Sequence, residues 1–483
     1  MTQMSKKYVL NVPVTQITAD SRQVKAGSLF MAYPGEHADG RDYIEDAINN
    51  GATAVLWDDA DFTWKSKWKV ANYAIKQLRL QAGHIADQFY QQPSTQMWTI
   101  GVTGTNGKTS ITQWLLQCFD YLGRKTAVLG TLGNGFANQL TPTENTTPDA
   151  ILLQGMLADY LQQGADIITM EVSSHGLHQG RVNGVHFDLA VLSNLSRDHL
   201  DYHASYEEYA AEKQRLFEMR GLKMAIVNAD DAFGQKIESE LIKRTTPVST
   251  YGIDDGEIRA TELHFEDTHF AFYAVTPVGN AQVIANLIGR FNVYNVLAVL
   301  ATLLASKVTL ADAVDAISHL QSAPGRMQQL GGGKLPLVVV DYAHTPDALQ
   351  KVLETLKEQL KPEAKLICVF GCGGDRDIGK RPLMGKVASE IAHGVIVTTD
   401  NPRNEDANAI IQDIIGGMQG NYALEDDRAK AITTAILAAK AGDIVLIAGK
   451  GHEDYQEIHG LKQPFSDVEH AEAALKKFEA TLA

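Results

Sequence analysis

The segment WTIGVTGTNGKTSITQWLLQCF, residues 98–119, constrains the fold more than any other stretch. An apolar run suited to a buried strand ends in a glycine-rich turn, and an apolar-periodic helix follows at once. A strand, turn and helix in that order point backbone N–H groups and the positive end of a helix dipole at one place, where an anion binds. Such a unit belongs in a mostly parallel sheet with helices on its faces. The spelling departs from the usual phosphate-loop pattern G-x-x-x-x-G-K-[ST], which asks for glycine at 102. This chain has Val102 there, with Gly101 and Gly104 on either side. The stretch G-T-N-G-K-T is intact, so Lys108 is expected to reach outer phosphates and the Thr109 hydroxyl to ligate Mg²⁺.

The rest of the chain repeats the strand–helix alternation. The length of 483 residues exceeds a single core and suggests about three domains of roughly 150 residues. Residues 1–94 read as a small mixed α/β unit, with PST at 93–95 as a boundary. Residues 95–327 read as a central nucleotide-binding parallel sheet, with an antiparallel β insertion over 256–288 and closing helices. After the turn APGRM, residues 328–483 carry KLPLVVVDYAH, KLICVFG, HGVIVTTD and DIVLIAGK, four buried-type strands separated by helices, a second doubly wound, Rossmann-like domain. The fold class is therefore α/β in three domains.

The net charge of −15 argues against a general nucleic-acid or acidic-membrane binder, leaving small molecules as the expected partners. No run of about 18 apolar residues is present, so no membrane insertion is expected. MTQMSKKYVLNVPVTQ lacks the apolar core of a signal peptide, and three cysteines form no disulfide or zinc pattern; a reducing cytoplasm fits. Cys368 and Cys372 are expected on or beside a buried strand with no catalytic part, and the acidic stretch ALEDDRAK, 423–430, as solvated surface.

Two further segments place polar groups beyond strand ends, where α/β sheets hold ligands. In ITMEVSSHGLHQGRV, 168–182, Glu171 falls at the end of a strand, suited to a metal facing the phosphate loop. Taken alone it reads equally as a solvent glutamate. In LSNLSRDHLDYHASYEEYAAEKQRLF, 192–217, Asn194, Asp198, His199, Asp201 and His203 precede a helix carrying Lys213. Each is ordinary singly; the cluster is what points to a site.

TGTNGKTS, TENTT at 143–147, MEVSSHGL, SNLSRDHLDYH, GRFNVYN at 289–295, APGRM, VVVDYAHTPD, FGCGGDRDIGKRPLMG, DNPR and GKGHEDYQ occur in one order. Together they resemble the Mur ligases of peptidoglycan synthesis, over about residues 17–470, and most closely the members that add diaminopimelate. The resemblance implies an ATP-dependent amide ligase working through an acyl phosphate. It implies ATP contacts at Gly104, Thr105, Asn106, Gly107, Lys108, Thr109, Ser110, Asn292, Asn295, Arg326 and Asp341. Catalytic roles fall to Lys108, Glu171, His199 and Lys213. One Mg²⁺ would lie on Thr109 and Glu171, and a second on His199 and a CO₂-derived carbamate of Lys213.

The UDP-muramoyl-dipeptide would meet Ala19, Ser21, Glu36, His37, Ala38, Asn145, Thr146, Thr147, Ser173, Gln179, Arg181 and Lys213. Diaminopimelate would meet Arg376, Asp400, Asn401, Pro402, Arg403, Gly449 and Glu453. Lysine lacks the second carboxylate for which a guanidinium fork such as that of Arg403 is suited. The resemblance also implies a monomer. A lysine-adding or folylpolyglutamate-forming sister ligase, or a P-loop nucleotide switch without ligase activity, shares parts of this pattern.

Overall fold

The structure is a computed structural model that describes residues 12–36, 38–143, 145–199, 202–266 and 268–482. His37 and Asp201, and most of the N-terminal stretch MTQMSKKYVLNVPVTQ, lie outside the described residues. The chain forms two compact units. One runs to Tyr251 and includes Ala301–Ser306; the other takes Gly252–Leu300 and continues from Lys307.

The first unit opens with β1 (Gln16–Thr18), β2 (Ser28–Ala32), α1 (Ile44–Asn49), β3 (Ala54–Asp58), β4 (Ala71–Ile75) and α2 (Leu78–Phe89). The strands pair in parallel in the order β1-β2-β3-β4. Then come β5 (Trp98–Thr103), α3 (Lys108–Tyr121), β6 (Thr126–Gly130), β7 (Gly133–Phe136), β8 (Gln139–Thr141), α4 (Ala150–Gln162), β9 (Ile167–Glu171), α5 (Ser174–His178) and β10 (Leu189–Leu192). α6 (Tyr206–Gln214), β11 (Met224–Asn228), α7 (Ala232–Lys243) and β12 (Val248–Gly252) follow.

The sheet runs β12-β11-β10-β5-β9-β6-β7-β8, parallel as far as β6 and antiparallel at β7 and β8. Alternate residues of its strands share one core: Ala127 and Leu129, Ile168 and Met170, Ala190 and Leu192, Ala225 and Val227. That period of two, with both faces covered, is why these strands read as continuous apolar runs. β5 lies between β9 and β10 with Val102 level with Glu171 and Thr103 level with Leu192, so three strand ends open at one place.

The second unit holds the meander β13 (Ile258–Phe265), β14 (Phe270–Thr276) and β15 (Gly279–Ala285), then α8 (Arg290–Ala305), which crosses the unit boundary, and α9 (Leu310–Ser318). It continues with β16 (Gln328–Gly331), β17 (Leu337–Asp341), α10 (Pro346–Glu358), β18 (Leu366–Phe370), α11 (Lys380–Ile391), β19 (Gly394–Val397), α12 (Ala407–Ile415), β20 (Ala423–Leu424), α13 (Arg428–Ala438) and β21 (Ile444–Ala448). The hairpin β22 (Tyr455–Ile458) and β23 (Leu461–Pro464) and helix α14 (Asp467–Ala480) close it. The sheet order is β16-β17-β21-β18-β19-β20, parallel except at β16. α10 shows how directly sequence sets a helix start: the Thr345 side chain accepts from Ala348 N–H and Pro346 stands in the first turn, where no donor is lost.

One expectation is overturned. ALEDDRAK is not all solvated surface: Ala423–Leu424 pair with β19, and Arg428 is buried in an ion pair with Asp467. Asp427 caps α13, so the helix begins at Arg428 and turns that side chain inward while its acidic neighbours stay out. The cysteines are core residues, and burial pushes the thiols of Cys118, Cys368 and Cys372 up to about 12, which leaves them unreactive at neutral pH.

α2 rests on the turn at Asn183–Gly184. A Cβ on Gly83 would stand 1.8 Å from the Asn183 carbonyl oxygen. Gly83→Ala should therefore destabilise the first unit by about 1–3 kcal/mol. Its thermal midpoint should fall; an unchanged midpoint would contradict this close approach.

Candidate active site

The loop 104–110 lies where β5 ends and α3 begins. Gly104 has φ +142°, and a Cβ there would meet the Ser193 hydroxyl oxygen at 2.0 Å, so the backbone passes directly beneath the end of β10. Gly107, at φ +85°, makes the turn into α3. Gly101, the displaced glycine, lies inside β5, where a Cβ would meet the Phe187 ring at 2.7 Å. It serves strand packing.

Asn194 fixes the loop from β10. Its side-chain oxygen accepts from Asn106 N–H at 3.1 Å, its amide donates to Asn106 O at 3.1 Å, and its carbonyl accepts from Thr105 N–H at 2.9 Å. The Thr105 hydroxyl accepts from Ser196 N–H at 2.9 Å and lies 3.0 Å from the Tyr209 hydroxyl. Ser110 is buried in the first turn of α3.

Two lysines converge on this loop. Lys108 Nζ donates to Gly104 O and Thr105 O, both at 2.9 Å, and Lys213 Nζ donates to the same Gly104 O at 2.8 Å. Lys213 is buried, with its ammonium 4.6 Å from the Tyr209 ring centre. Burial, and then the charge of Lys108, hold its amine well below the ordinary lysine range.

Glu171 is also buried. Its carboxylate accepts from the Thr109 hydroxyl at 3.0 Å, Thr131 N–H at 2.8 Å and the Thr131 hydroxyl at 3.3 Å. Gly130 leaves room for it, since a Cβ there would meet Glu171 Oε1 at 2.3 Å. The hydroxyl and carboxylate form an all-oxygen pair beside the loop, donors that suit Mg²⁺. His199 has a left-handed backbone, φ +53°, and its ring lies 3.6 Å from the Asp198 carboxylate and 6.1 Å from the Tyr209 ring centre. It thus shares Tyr209 as a neighbour with Lys213. Among the described residues no three His, Cys, Asp or Glu side chains gather as a preformed metal cluster.

From Glu171 a polar chain leads outward. The Thr147 hydroxyl donates to Glu171 O at 2.9 Å and lies 3.1 Å from Ser173 Oγ. Arg181 donates to Thr147 O and to Gln179 Oε1, both at 2.8 Å. Gln179 and the Tyr202 hydroxyl both donate to the Glu36 carboxylate. The structure thus brings together Glu36, Thr147, Ser173, Gln179 and Arg181 across a wide stretch of sequence. The Thr146 and Thr131 hydroxyls lie 3.1 Å apart, which joins Thr146 to the same chain. Asn145 is exposed with its carbonyl on the Thr143 hydroxyl.

Ala19 and Ser21 follow β1, where Asp20 caps a short 3-10 turn, and the Ser21 carbonyl accepts from the Asn50 side-chain amide at 3.0 Å. The Ala38 carbonyl accepts from Gly35 N–H at 2.8 Å. These bonds stay within the N-terminal segment and do not join the three residues to the chain from Glu36 to Arg181. Thr131 and Tyr202 were missed in the sequence. Their signals are a hydroxyl just past β6 and an aromatic inside SRDHLDYH.

Asn292, Asn295, Arg326 and Asp341 lie in the second unit or its bounding helix. Asn295 donates to Asn292 Oδ1 at 3.0 Å within the start of α8. The Arg326 guanidinium lies 4.5 Å from the Tyr342 ring centre. Asp341 ends β17, accepts from Met327 and Ala343 N–H groups at 2.8 Å, and is raised by burial against the lowering pull of Arg326.

The same unit gathers most of the DNPR and GKGHEDYQ positions. Asn401 donates to Glu453 Oε2 at 2.8 Å. Lys450, missed in the sequence although it stands between two glycines, is fully buried and donates to Asn401 Oδ1 at 2.8 Å and Glu453 Oε2 at 3.1 Å. A Cβ on Gly449 would meet Asp400 Oδ2 at 2.6 Å. Pro402 is buried, and its carbonyl stands where a Cβ on Gly374 would need to be. Arg403, at φ +53°, donates to Gly374 O at 2.8 Å and pairs with Glu457 at 3.3 Å. Arg376 is exposed on the adjoining loop, donating to Asp375 O at 3.2 Å.

A phosphate-type loop with a buried Thr–Glu pair, in an α/β chain with a second cluster of paired charged side chains, defines a nucleotide-dependent enzyme. Three family profiles match: "Mur ligase family, catalytic domain" over 13–90, "Mur ligase middle domain" over 102–303, and "Mur ligase, glutamate ligase domain" over 325–451. The chain is 51% identical to a UDP-N-acetylmuramoyl-L-alanyl-D-glutamate–2,6-diaminopimelate ligase of Chromobacterium violaceum, covering 96% of this chain and 95% of that one. It is 47% identical to the ligase of the same name from Nitrosomonas europaea, covering 95% and 92%. A solved structure of a ligase of that name aligns with TM-score 0.73 at 40% identity over 98% of this chain and 96% of the other. A folylpolyglutamate synthase of Mycobacterium tuberculosis shares the fold, with TM-score 0.62 at 17% identity over 77% of this chain and 92% of the other. The chain belongs to the Mur ligase family.

The buried amine of Lys213 has a pH signature. Unfolded, it binds a proton below the ordinary lysine pKa; folded, it resists protonation down to its lowered value. Stability therefore rises with pH across that interval, because the unfolded chain holds more protons there. In carbonate-free buffer, Lys213→Met should be more stable than the native chain at neutral pH by about 1–3 kcal/mol. The gain should shrink as pH rises towards 10.5. A pH-independent difference, measured by denaturant unfolding, would contradict the buried neutral amine.

Proposed function

We propose that this chain is an ATP-dependent ligase that joins diaminopimelate to the D-glutamate γ-carboxylate of UDP-N-acetylmuramoyl-L-alanyl-D-glutamate, releasing ADP and phosphate. The observation that carries this reading is the buried Thr109–Glu171 hydrogen bond beside the loop, in a chain half identical to ligases of that name. A carboxylate at neutral pH is a poor acyl donor. Its oxygen takes the γ-phosphoryl group as the bond to ADP breaks. The acceptor amine then attacks the acyl carbon, loses a proton, and the resulting tetrahedral centre expels phosphate to leave the amide.

The chain's own groups fit those steps. The loop Gly104–Ser110 cradles the phosphates with the backbone N–H groups that Asn194 does not hold, and Lys108 exchanges its loop carbonyls for phosphate oxygens. Thr109 and Glu171 would hold Mg²⁺, which would offset charge on the phosphates and the incoming carboxylate. A neutral amine is the form that adds CO₂, and the buried Lys213 favours it, so a carbamate there would turn a base into an oxygen donor, with His199 on the same Tyr209 ring. The family resemblance assigns Asn292, Asn295, Arg326 and Asp341 to the nucleotide as well. Thr146, Thr147, Ser173, Gln179 and Arg181 take the muramoyl-dipeptide, with Asn145, and Ala19, Ser21 and residues 36–38 take the uridine side. Asp400, Asn401, Pro402, Gly449 and Glu453 shape the acceptor pocket, where Arg403 and Arg376 meet the far carboxylate of diaminopimelate. Residues 1–94, 95–327 and 328–483 thus serve the UDP-linked substrate, ATP and the amino acid in turn. We take the working unit to be a monomer in the cytoplasm, as the family resemblance implies.

Phosphate release with ATP, Mg²⁺ and the UDP-dipeptide should depend on meso-diaminopimelate and fail with L-lysine. Turnover with lysine would overturn the acceptor assignment, and none with either would overturn the ligase reading. Arg403→Ala should raise KM for diaminopimelate about 10- to 100-fold, the loss of a charge-assisted hydrogen bond, while KM for ATP stays within about twofold. Equal changes in both would indicate a fold defect. Lys213→Ala should lose most activity and regain part of it with added short carboxylates; full activity without them would remove the carbamate.

A further inference from the structure

Arg428 and Asp467 form an ion pair with no exposed side-chain surface. Asp467 begins α14, and its two oxygens accept from Arg428 Nε at 2.7 Å and Nη2 at 2.8 Å. The guanidinium also reaches two backbone carbonyls. Nη2 donates to the Ala448 carbonyl at 3.0 Å, and Nη1 to the Thr399 carbonyl at 3.2 Å.

Those two carbonyls stand immediately before Gly449 and Asp400. One rigid, planar cation therefore holds the roots of both loops that carry the acceptor pocket, the 400–403 segment and the 449–453 segment. Between the same loops run the bonds of Asn401 to Glu453 and of Lys450 to Asn401, while Lys450 also bonds Glu453 within its own loop. These short polar contacts need the loops held at one spacing. A buried guanidinium needs carbonyl partners besides Asp467, and the two it finds here are the roots of these two loops, so its rigid plane ties their positions to each other.

We propose that Arg428, anchored by Asp467, is a positioning residue for the amino-acid acceptor pocket, setting the spacing between the 400–403 and 449–453 loops. It touches no substrate; it acts through Asn401, Lys450 and Glu453. This rests on the acceptor assignment made above.

The test uses two variants of the full chain. Arg428→Lys keeps a cation beside Asp467 but has a single ammonium, which cannot span both carbonyls. Arg428→Met combined with Asp467→Leu removes both charges and fills the space with apolar atoms, a replacement buried ion pairs commonly tolerate. Phosphate-release kinetics should show KM for diaminopimelate raised at least about 10-fold in each folded variant, the loss of about one charge-assisted contact. KM for ATP and for the UDP-dipeptide should stay within about twofold. An unchanged KM for diaminopimelate, or equal changes in all three constants, would overturn the proposal.

Should neither variant fold, native-state hydrogen exchange of the unaltered protein decides. Amides of 400–403 and 449–453 should open together with those of α14 as denaturant rises; loops that open well before α14 would overturn it. Absence of diaminopimelate-dependent turnover in the unaltered protein would defeat the acceptor assignment instead, and the exchange result would still say whether the clamp exists.

Discussion

The parallel pairing of β5 with β9 on one side and β10 on the other is the constraint on which the rest of the first unit depends. It brings three strand ends to one level. From β5 comes the loop with Lys108 and Thr109, from β9 the carboxylate of Glu171, and from β10 the side chain of Asn194. Each is supplied by a different part of the chain, and none could be placed by local structure. The hydrogen bond of Thr109 to Glu171 then follows from register, since Val102 stands level with Glu171. The buried apolar faces that hold the strands in this register are the same ones that make each strand a continuous hydrophobic run.

Charge is handled differently at the two pockets. Around the loop, two lysines approach one carbonyl, and the deeper one is driven towards its neutral form. That arrangement suits a site built to receive anions. In the second unit, by contrast, the buried Lys450 is paired with Glu453 and bonded to Asn401, and Arg403 with Glu457. These pairs balance charge before any ligand arrives. They suit the recognition of a zwitterionic amino acid, which brings both signs and must exchange partners one for one.

Close approach by glycine recurs at each of these places for a single reason. Gly104 passes under Ser193, Gly130 faces the Glu171 carboxylate, and Gly449 lies against Asp400. In all three a side chain would occupy the space taken by a polar group from another segment of the chain. The glycines of the loop were legible as phosphate-loop spelling. Gly130 was not, because its role depends on a glutamate some forty residues on, in the neighbouring strand.

Much of the fold was legible because burial on both faces leaves a local mark. The central strands of both sheets, the helix after the phosphate loop and the antiparallel meander show themselves in the sequence; the edge strands β7, β8, β16 and β20 do not. Lys108, Glu171 and Arg403 could be singled out as candidates, since each ends or follows a strand, and the structure sets them against the loop carbonyls, Thr109 and Glu457 respectively. Other features could not be read. ALEDDRAK looks like solvated surface, yet Arg428 turns inward, because its partner Asp467 stands 39 residues away on another helix. Lys450 and Tyr202 carry only weak local signals, a place between two glycines and an aromatic inside SRDHLDYH; they matter through partners brought to them by folding. Sequence alone determined most of the strands and helices and the turn into α3, because periodicity and turn chemistry act between near neighbours. Only the tertiary structure decided which polar groups meet, because a hydrogen bond or ion pair depends on distance in space, which strand order and register set.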